Sequence, residues 1–382
     1  MRIRILPLLL LLLLTIPTLA LASDDDSDPD EGNLPEQVEA ALTTILDNLS
    51  TPNPSNETLA TLLEYVTSNK IPYQKIQPAK RKNGRGTYVK GQLNVPLKKV
   101  LSYMFNTSYP SEILCPAVVR HNVWMPDSEI LARGQEIANA SLPPAAPISV
   151  HGQEIEETTP DSNSGCYYRY TLDRFMLLTT WKGRTILFNL ANLPQDSEIG
   201  MKGANIGKDS DWNHVYSGVT GTNLPLLGWA KTNIYGSTTV SFLVDDGDKT
   251  SAYFFKWFKA GWSGVNAVQP KHIRGGLERY LNSLGQVLEH PNTPTPEGFA
   301  AEYQSLCQLP DEKLEAMLSG YNAYLVAQND KLLKEKPFST VLANGGYAKT
   351  MGRDNMIAEI MKLLLREKHG TLPAEAAATL HQ

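Results

Sequence analysis

The chain has 382 residues, 42% of them hydrophobic, which is enough for one large domain with extensions or for two domains. Its formal charge is −5 and its lysines and arginines are scattered, so no electrostatic footprint for nucleic acid appears. Only three cysteines occur, Cys115, Cys166 and Cys307, and without paired C-x-x-C spacing they give no zinc site.

The first 22 residues read as a secretory signal peptide. Arg2 and Arg4 form a positive start, Leu8 to Leu14 an unbroken leucine run, and Ala20-Leu21-Ala22 a small-x-small cleavage site. No stop-transfer flank follows, so the expected mature protein is exported, periplasmic or extracellular, and not integral to a membrane. In an oxidising compartment one disulfide is permitted, and Cys115 with Cys166 is the natural pairing because both would lie in one domain. Sequons at Asn48, Asn56, Asn106 and Asn139 matter only in a glycosylating host.

Residues 23–34 are acidic and poor in apolar side chains, as in a disordered segment. Residues 35–87 follow as a helical extension and linker. Val38, Leu42, Ile45 and Leu49 recur at helical spacing, the Thr51-Pro52-Asn53-Pro54 turn breaks that helix, and Leu59, Leu62, Leu63 and Val66 make the stripe of a second. A basic connector, Lys80 to Gly86, then leads to a strand at Tyr88–Leu93, a helix at Pro96–Phe105 and a strand at Val118–Met125. Residues 140–165, rich in Pro, Ser and Gly, read as an irregular loop.

From Cys166 to Phe258 the pattern is antiparallel β. Tyr168, Tyr170 and Leu172 alternate with Arg169, Thr171 and Asp173; Val240, Phe242 and Val244 alternate with Thr239, Ser241 and Asp245. Asp245-Asp246-Gly247-Asp248 marks a hairpin, and Tyr253, Phe255 and Trp257 share one side of the returning strand. Lys256 on its opposite side points that side toward solvent. A long amphipathic helix is expected at 269–289, with Ile273, Leu277, Leu281 and Leu284 in its apolar stripe. The pair Gly275-Gly276 near its start costs about 1 kcal/mol per glycine against alanine, which points to close backbone packing there. Residues 297–382 form a helical C-terminal extension.

Motifs for chemistry are sparse. Neither H-E-x-x-H nor a histidine–cysteine ligand pair is present, so no metal and no cofactor is expected. Tyr216-Ser217-Gly218-Val219-Thr220-Gly221 lacks the G-x-S-x-G order, and Gly203 to Ser210 lacks the Gly-Lys-Ser/Thr ending of a phosphate loop. Arg169, Asp173, His121 and Lys256 are the polar strand residues that acid–base work would draw on, and none is assigned as catalytic.

The order of elements in 88–290 resembles the helix-grip fold of the START-like superfamily of lipid-transfer and polyketide-cyclase proteins. Val89 to Val100 resembles its opening strand and first helix; Phe255 to Val265 with the 269–289 helix resembles its last strand and closing helix. The resemblance implies an α+β fold, a curved antiparallel sheet around a long C-terminal helix, enclosing a hydrophobic cavity. Tyr168, Tyr170, Phe242, Phe255 and Trp257 would line that cavity, with Ile273, Leu277, Leu281 and Leu284 as its lid. The implied function is binding or carriage of a hydrophobic small molecule or lipid. The alternatives are a cyclase-like or hydrolase-like enzyme using polar residues in the same cavity, and a protein-interaction module acting through 297–382.

Overall fold

The computed structural model describes residues 32–81, 84–160, 165–224, 228–328, 330–343, 346, 348 and 351–381. The expected signal peptide, and all but the last residues of the acidic segment, lie outside them. Among the described residues no helix is long and apolar enough to cross a membrane.

The chain enters through a short strand β1 (Gly32–Asn33), the helices α1 (Glu36–Leu46) and α2 (Asn56–Ser68), and a strand β2 (Ile76–Gln77) parallel to β1. Ser55 caps α2, its hydroxyl accepting the Thr58 N–H at 3.1 Å. Next come β3 (Arg85–Leu93), α3 (Leu97–Met104), β4 (Val119–Trp124), α4 (Glu129–Asn139) and β5 (Ile148–Thr158). The β run continues through β6 (Cys166–Tyr167), β7 (Arg169–Trp181), β8 (Arg184–Asn192), β9 (Met201–Asn205), β10 (His214–Thr220), β11 (Thr222–Leu224) and β12 (Gly228–Ala230). The strands β13 (Asn233–Asp245), β14 (Thr250–Trp262) and β15 (Val265–Asn266) complete it, followed by α5 (Pro270–Leu288). The C-terminal part holds α6 (Pro296–Cys307), α7 (Asp311–Ala327), α8 (Lys336–Ala343), α9 (Arg353–Lys368) and α10 (Ala374–Leu380).

The molecule is α+β, built on an eight-stranded antiparallel sheet in the order β15-β14-β13-β8-β7-β5-β4, with β3 also on β14. The turn between β7 and β8 has Lys182 at φ 48° and Gly183 at φ 77°. Two successive positive φ values are what a tight hairpin needs to follow the twist of its strands.

Both sides of this sheet are covered. On one side α1 and α2 bury Val38, Leu42, Leu62 and Leu63 against Phe188, Val240, Phe242, Phe255 and Trp257. On the other, α5 lies across β3, and its apolar stripe joins a core that runs on into α6, α7, α9 and α10. Leu314, Ile360 and Leu365 of the C-terminal helices are fully buried in that core. Lys362 of α9 donates to the Val119 and Arg120 carbonyls at 3.0 Å each, a polar tie between the extension and the edge of the sheet.

Several expectations need correction. The segment 140–165 is not an irregular loop, because it contains the 11-residue β5 between β4 and β7. Its inward positions include Glu154 and Glu156, so it lacks the apolar alternation by which a strand is recognised. Gly275 and Gly276 do not mark close packing, since a Cβ on either would meet nothing within 4 Å. No helix is expected from the sequence at α4, whereas α8 and α10 fall within the expected helical extension 297–382.

Candidate functional site

Between the sheet and α5 lies a cavity of about 1080 Å³, just above the usual range of roughly 300–1,000 Å³ for small-molecule sites. Its two walls differ in chemistry because they come from elements with different periodicity. The helix contributes Ile273, Leu277, Leu281 and Leu284 at three- and four-residue spacing, which makes its wall apolar. The strands contribute every second residue: Ser237, Thr239 and Ser241 from β13, Asn189 from β8, Arg174 from β7, and Glu154 and Glu156 from β5. Lys256 and Phe254 enter from β14.

This pattern puts the expected aromatic residues on two different sides. Tyr168 and Tyr170 line the cavity, as do the four α5 residues. Phe242, Phe255 and Trp257 do not; they point into the layer beneath α1 and α2. There Phe255 packs on Tyr88 at a ring separation of 4.9 Å, Phe242 on Phe188 at 5.4 Å, and Trp257 Nε1 donates to the Ala79 carbonyl at 2.9 Å. Lys256 faces inward rather than to solvent. A strand buried on both sides gives no indication, from apolarity alone, of which side borders a cavity.

The polar floor is a connected group. Glu154 takes the Arg174 guanidinium on one carboxylate oxygen, and the Asn122 amide donates to the other at 3.0 Å. The Tyr170 hydroxyl donates to Glu156. Burial first, and the charge of Glu154 second, push the Glu156 carboxyl above its usual range. Lys256 Nζ donates to the hydroxyls of Ser237 at 3.2 Å and Thr239 at 3.1 Å. Burial lowers its ammonium to about 8, with Glu156 acting the other way and Arg174 adding to the drop. Nothing in the β5 segment announces a site to a sequence reader, and Arg174 follows Leu172 with no motif around it. Only Lys256 was visible as a polar candidate.

The other polar candidates lie elsewhere or are engaged. Arg169 sits 3.6 Å from Glu157 and 3.6 Å from Glu198, and Asp173 accepts from the Gln153 amide at 2.6 Å, both away from the large cavity. His121 Nδ1 lies 3.2 Å from Glu112. The expected Cys115–Cys166 disulfide is not formed; both residues are buried thiols, and both border the cavity. Burial raises the Cys115 thiol well above its ordinary range, which keeps it protonated and a poor nucleophile. Among the described residues no cluster of three or more His, Cys, Asp or Glu is placed to hold a metal ion.

At the cavity rim Arg279 of α5 grips the short 3₁₀ turn Asp209–Asp211. Its Nε donates to one carboxylate oxygen of Asp209 at 2.7 Å and its Nη2 to the other at 2.5 Å. The same Nη2 reaches Thr159 Oγ1 at 3.2 Å. Planar two-point pairing of this kind fixes geometry as well as contributing attraction. No protein-family model matches the sequence, and no curated protein matches it either.

Proposed function

We propose that this is an exported protein of the START-like, helix-grip type that binds or carries an amphiphilic small molecule, lipids included. The observation that supports the reading is the two-sided cavity, with an apolar helix wall opposite a hydrogen-bonding sheet wall. A wholly apolar ligand would leave the third donor of the Lys256 ammonium without an acceptor, and polar groups without partners cost free energy when water is excluded. An amphiphile places its apolar body under α5 and its polar end on the sheet. Desolvation of the apolar body, at roughly 25 cal/mol per Å² buried, supplies the driving force. Export, read from residues 1–22, would set this carriage in an aqueous compartment outside the cytoplasm.

Native mass spectrometry of the protein purified from its own compartment tests the reading. A co-purifying amphiphile, or uptake of one offered, is the expected result. A protein that stays empty against a panel of lipids and fatty amphiphiles overturns it.

A second reading, acid–base catalysis in the same cavity, is favoured by one feature. Glu156 and Lys256 face the same space with their proton affinities displaced in opposite directions, the arrangement by which sites divide acid and base roles. Extracting the bound molecule after timed incubation separates the two readings. An unaltered ligand supports carriage, and a product formed by the native protein but not by Glu156→Gln supports chemistry. The C-terminal helices share the main core with the sheet, which weighs against their acting as a free interaction module.

A further inference from the structure

We infer that the cavity selects amphiphiles bearing a carboxylate, held by Lys256 beside Ser237 and Thr239. This deepens the proposed function and rests on it. The argument is a balance of charge on the sheet wall. Arg174 is already neutralised by Glu154, which also accepts from Asn122. Glu156 accepts from the Tyr170 hydroxyl, and its charge reaches Lys256 through space rather than by direct contact. Lys256 Nζ has two neutral hydroxyls as its hydrogen-bond acceptors. Among the described residues no carboxylate stands in ion-pair contact with it. An ammonium has three donors, and two are used.

A cation facing a cavity with no carboxylate in contact is costly, and a charge-assisted hydrogen bond to an anion offsets that cost. The cavity around Lys256 thus favours one negative charge. The hydroxyls of Ser237 and Thr239 flank the ammonium, and each can turn its own proton toward the second oxygen of a planar carboxylate. From Lys256 the apolar body then has Phe254 on its own strand and Leu277 and Leu281 across the cavity. A cationic head placed at Ser237 and Thr239 would meet the Lys256 ammonium and be rejected by like charge.

The test uses the full chain and three ligands with one tail: hexadecanoic acid, hexadecanol and hexadecylamine. Binding is measured by native mass spectrometry for the native protein, Lys256→Met and Lys256→Gln. Urea midpoints report whether each variant is folded. The native protein should prefer the acid over the alcohol by about 30-fold or more, equivalent to the ~2 kcal/mol at which loss of one partner of a buried charged pair begins. It should not take the amine. Whichever variant is folded should lose that preference while still binding the alcohol. Equal binding of acid and alcohol, or a preference that survives removal of the ammonium, overturns the carboxylate inference and leaves amphiphile binding standing. Failure of every ligand to bind overturns the proposed function and the inference with it.

Discussion

Phe255 and Lys256 are consecutive on β14 and serve opposite layers: the phenyl ring packs on Tyr88 beneath the N-terminal helices, while the ammonium enters the cavity on the other side. The sheet is therefore the common wall between a closed core and an open space. Substitutions on its two sides should separate stability from binding.

Phe255→Ala removes a fully buried ring and should cost about 3–5 kcal/mol of stability. Urea unfolding measures this. Affinity for a bound amphiphile should stay within a few-fold of native, since the ring borders the other layer. A large affinity loss in a folded variant would show that the two sides are not independent.

In the pair Arg174–Glu154 the carboxylate is buried, with only 2% of Glu154 exposed, and the guanidinium is partly buried. Removing one partner leaves an uncompensated charge, so Arg174→Met should destabilise the protein by roughly 3–5 kcal/mol. Replacing both, Arg174→Met with Glu154→Leu, should recover most of that loss. A double-mutant cycle in urea gives the coupling directly.

Gly275 and Gly276 lie in α5 with open space where a Cβ would stand. Each Gly→Ala change should raise stability by about 1 kcal/mol through helix propensity alone. The melting temperature of the two single variants and the double variant checks this. A drop would mean that the glycines serve a conformation other than the straight helix.

Stability should also decline in mild acid. Burial and, secondarily, the stacked ring of His290 lower His369 from 6.5 to about 4. Burial and the surrounding cations hold His214 well below its ordinary value. In both cases the unfolded chain takes up the proton first as pH falls. Folding stability contributed by the neutral rings is complete above about pH 6.5 and is lost as pH drops from there toward 4 and below. Urea midpoints at stepped pH should show this slope, and His369→Phe should flatten it between pH 6.5 and 4. An unchanged profile would assign the acid sensitivity elsewhere.

How far the site could be read from the sequence follows from periodicity. The α5 wall was legible because Ile273, Leu277, Leu281 and Leu284 are apolar against a polar opposite side, and a helix shows that contrast plainly. On β13 and β14 both sides are buried, one in a core and one against a cavity, so apolarity points to the side that is the core. On β5, Glu154 and Glu156 occupy inward positions that sequence patterning reserves for apolar residues, which conceals the strand together with its two carboxyl groups. The charged pair that makes the cavity distinctive is also what hid it.

The proline-containing segment Pro291–Pro296, between 88–290 and the C-terminal extension, divides the sequence but not the energy of the molecule. Leu284 and Val287 of α5 and Phe299, Leu314 and Ile360 of the later helices belong to one continuous apolar cluster. A clip in that proline segment would cut the backbone without yielding two independent pieces, because neither could bury its share of the cluster alone. The nicked chain should stay together and melt in a single transition. The cavity thereby draws its rigidity from helices that do not line it.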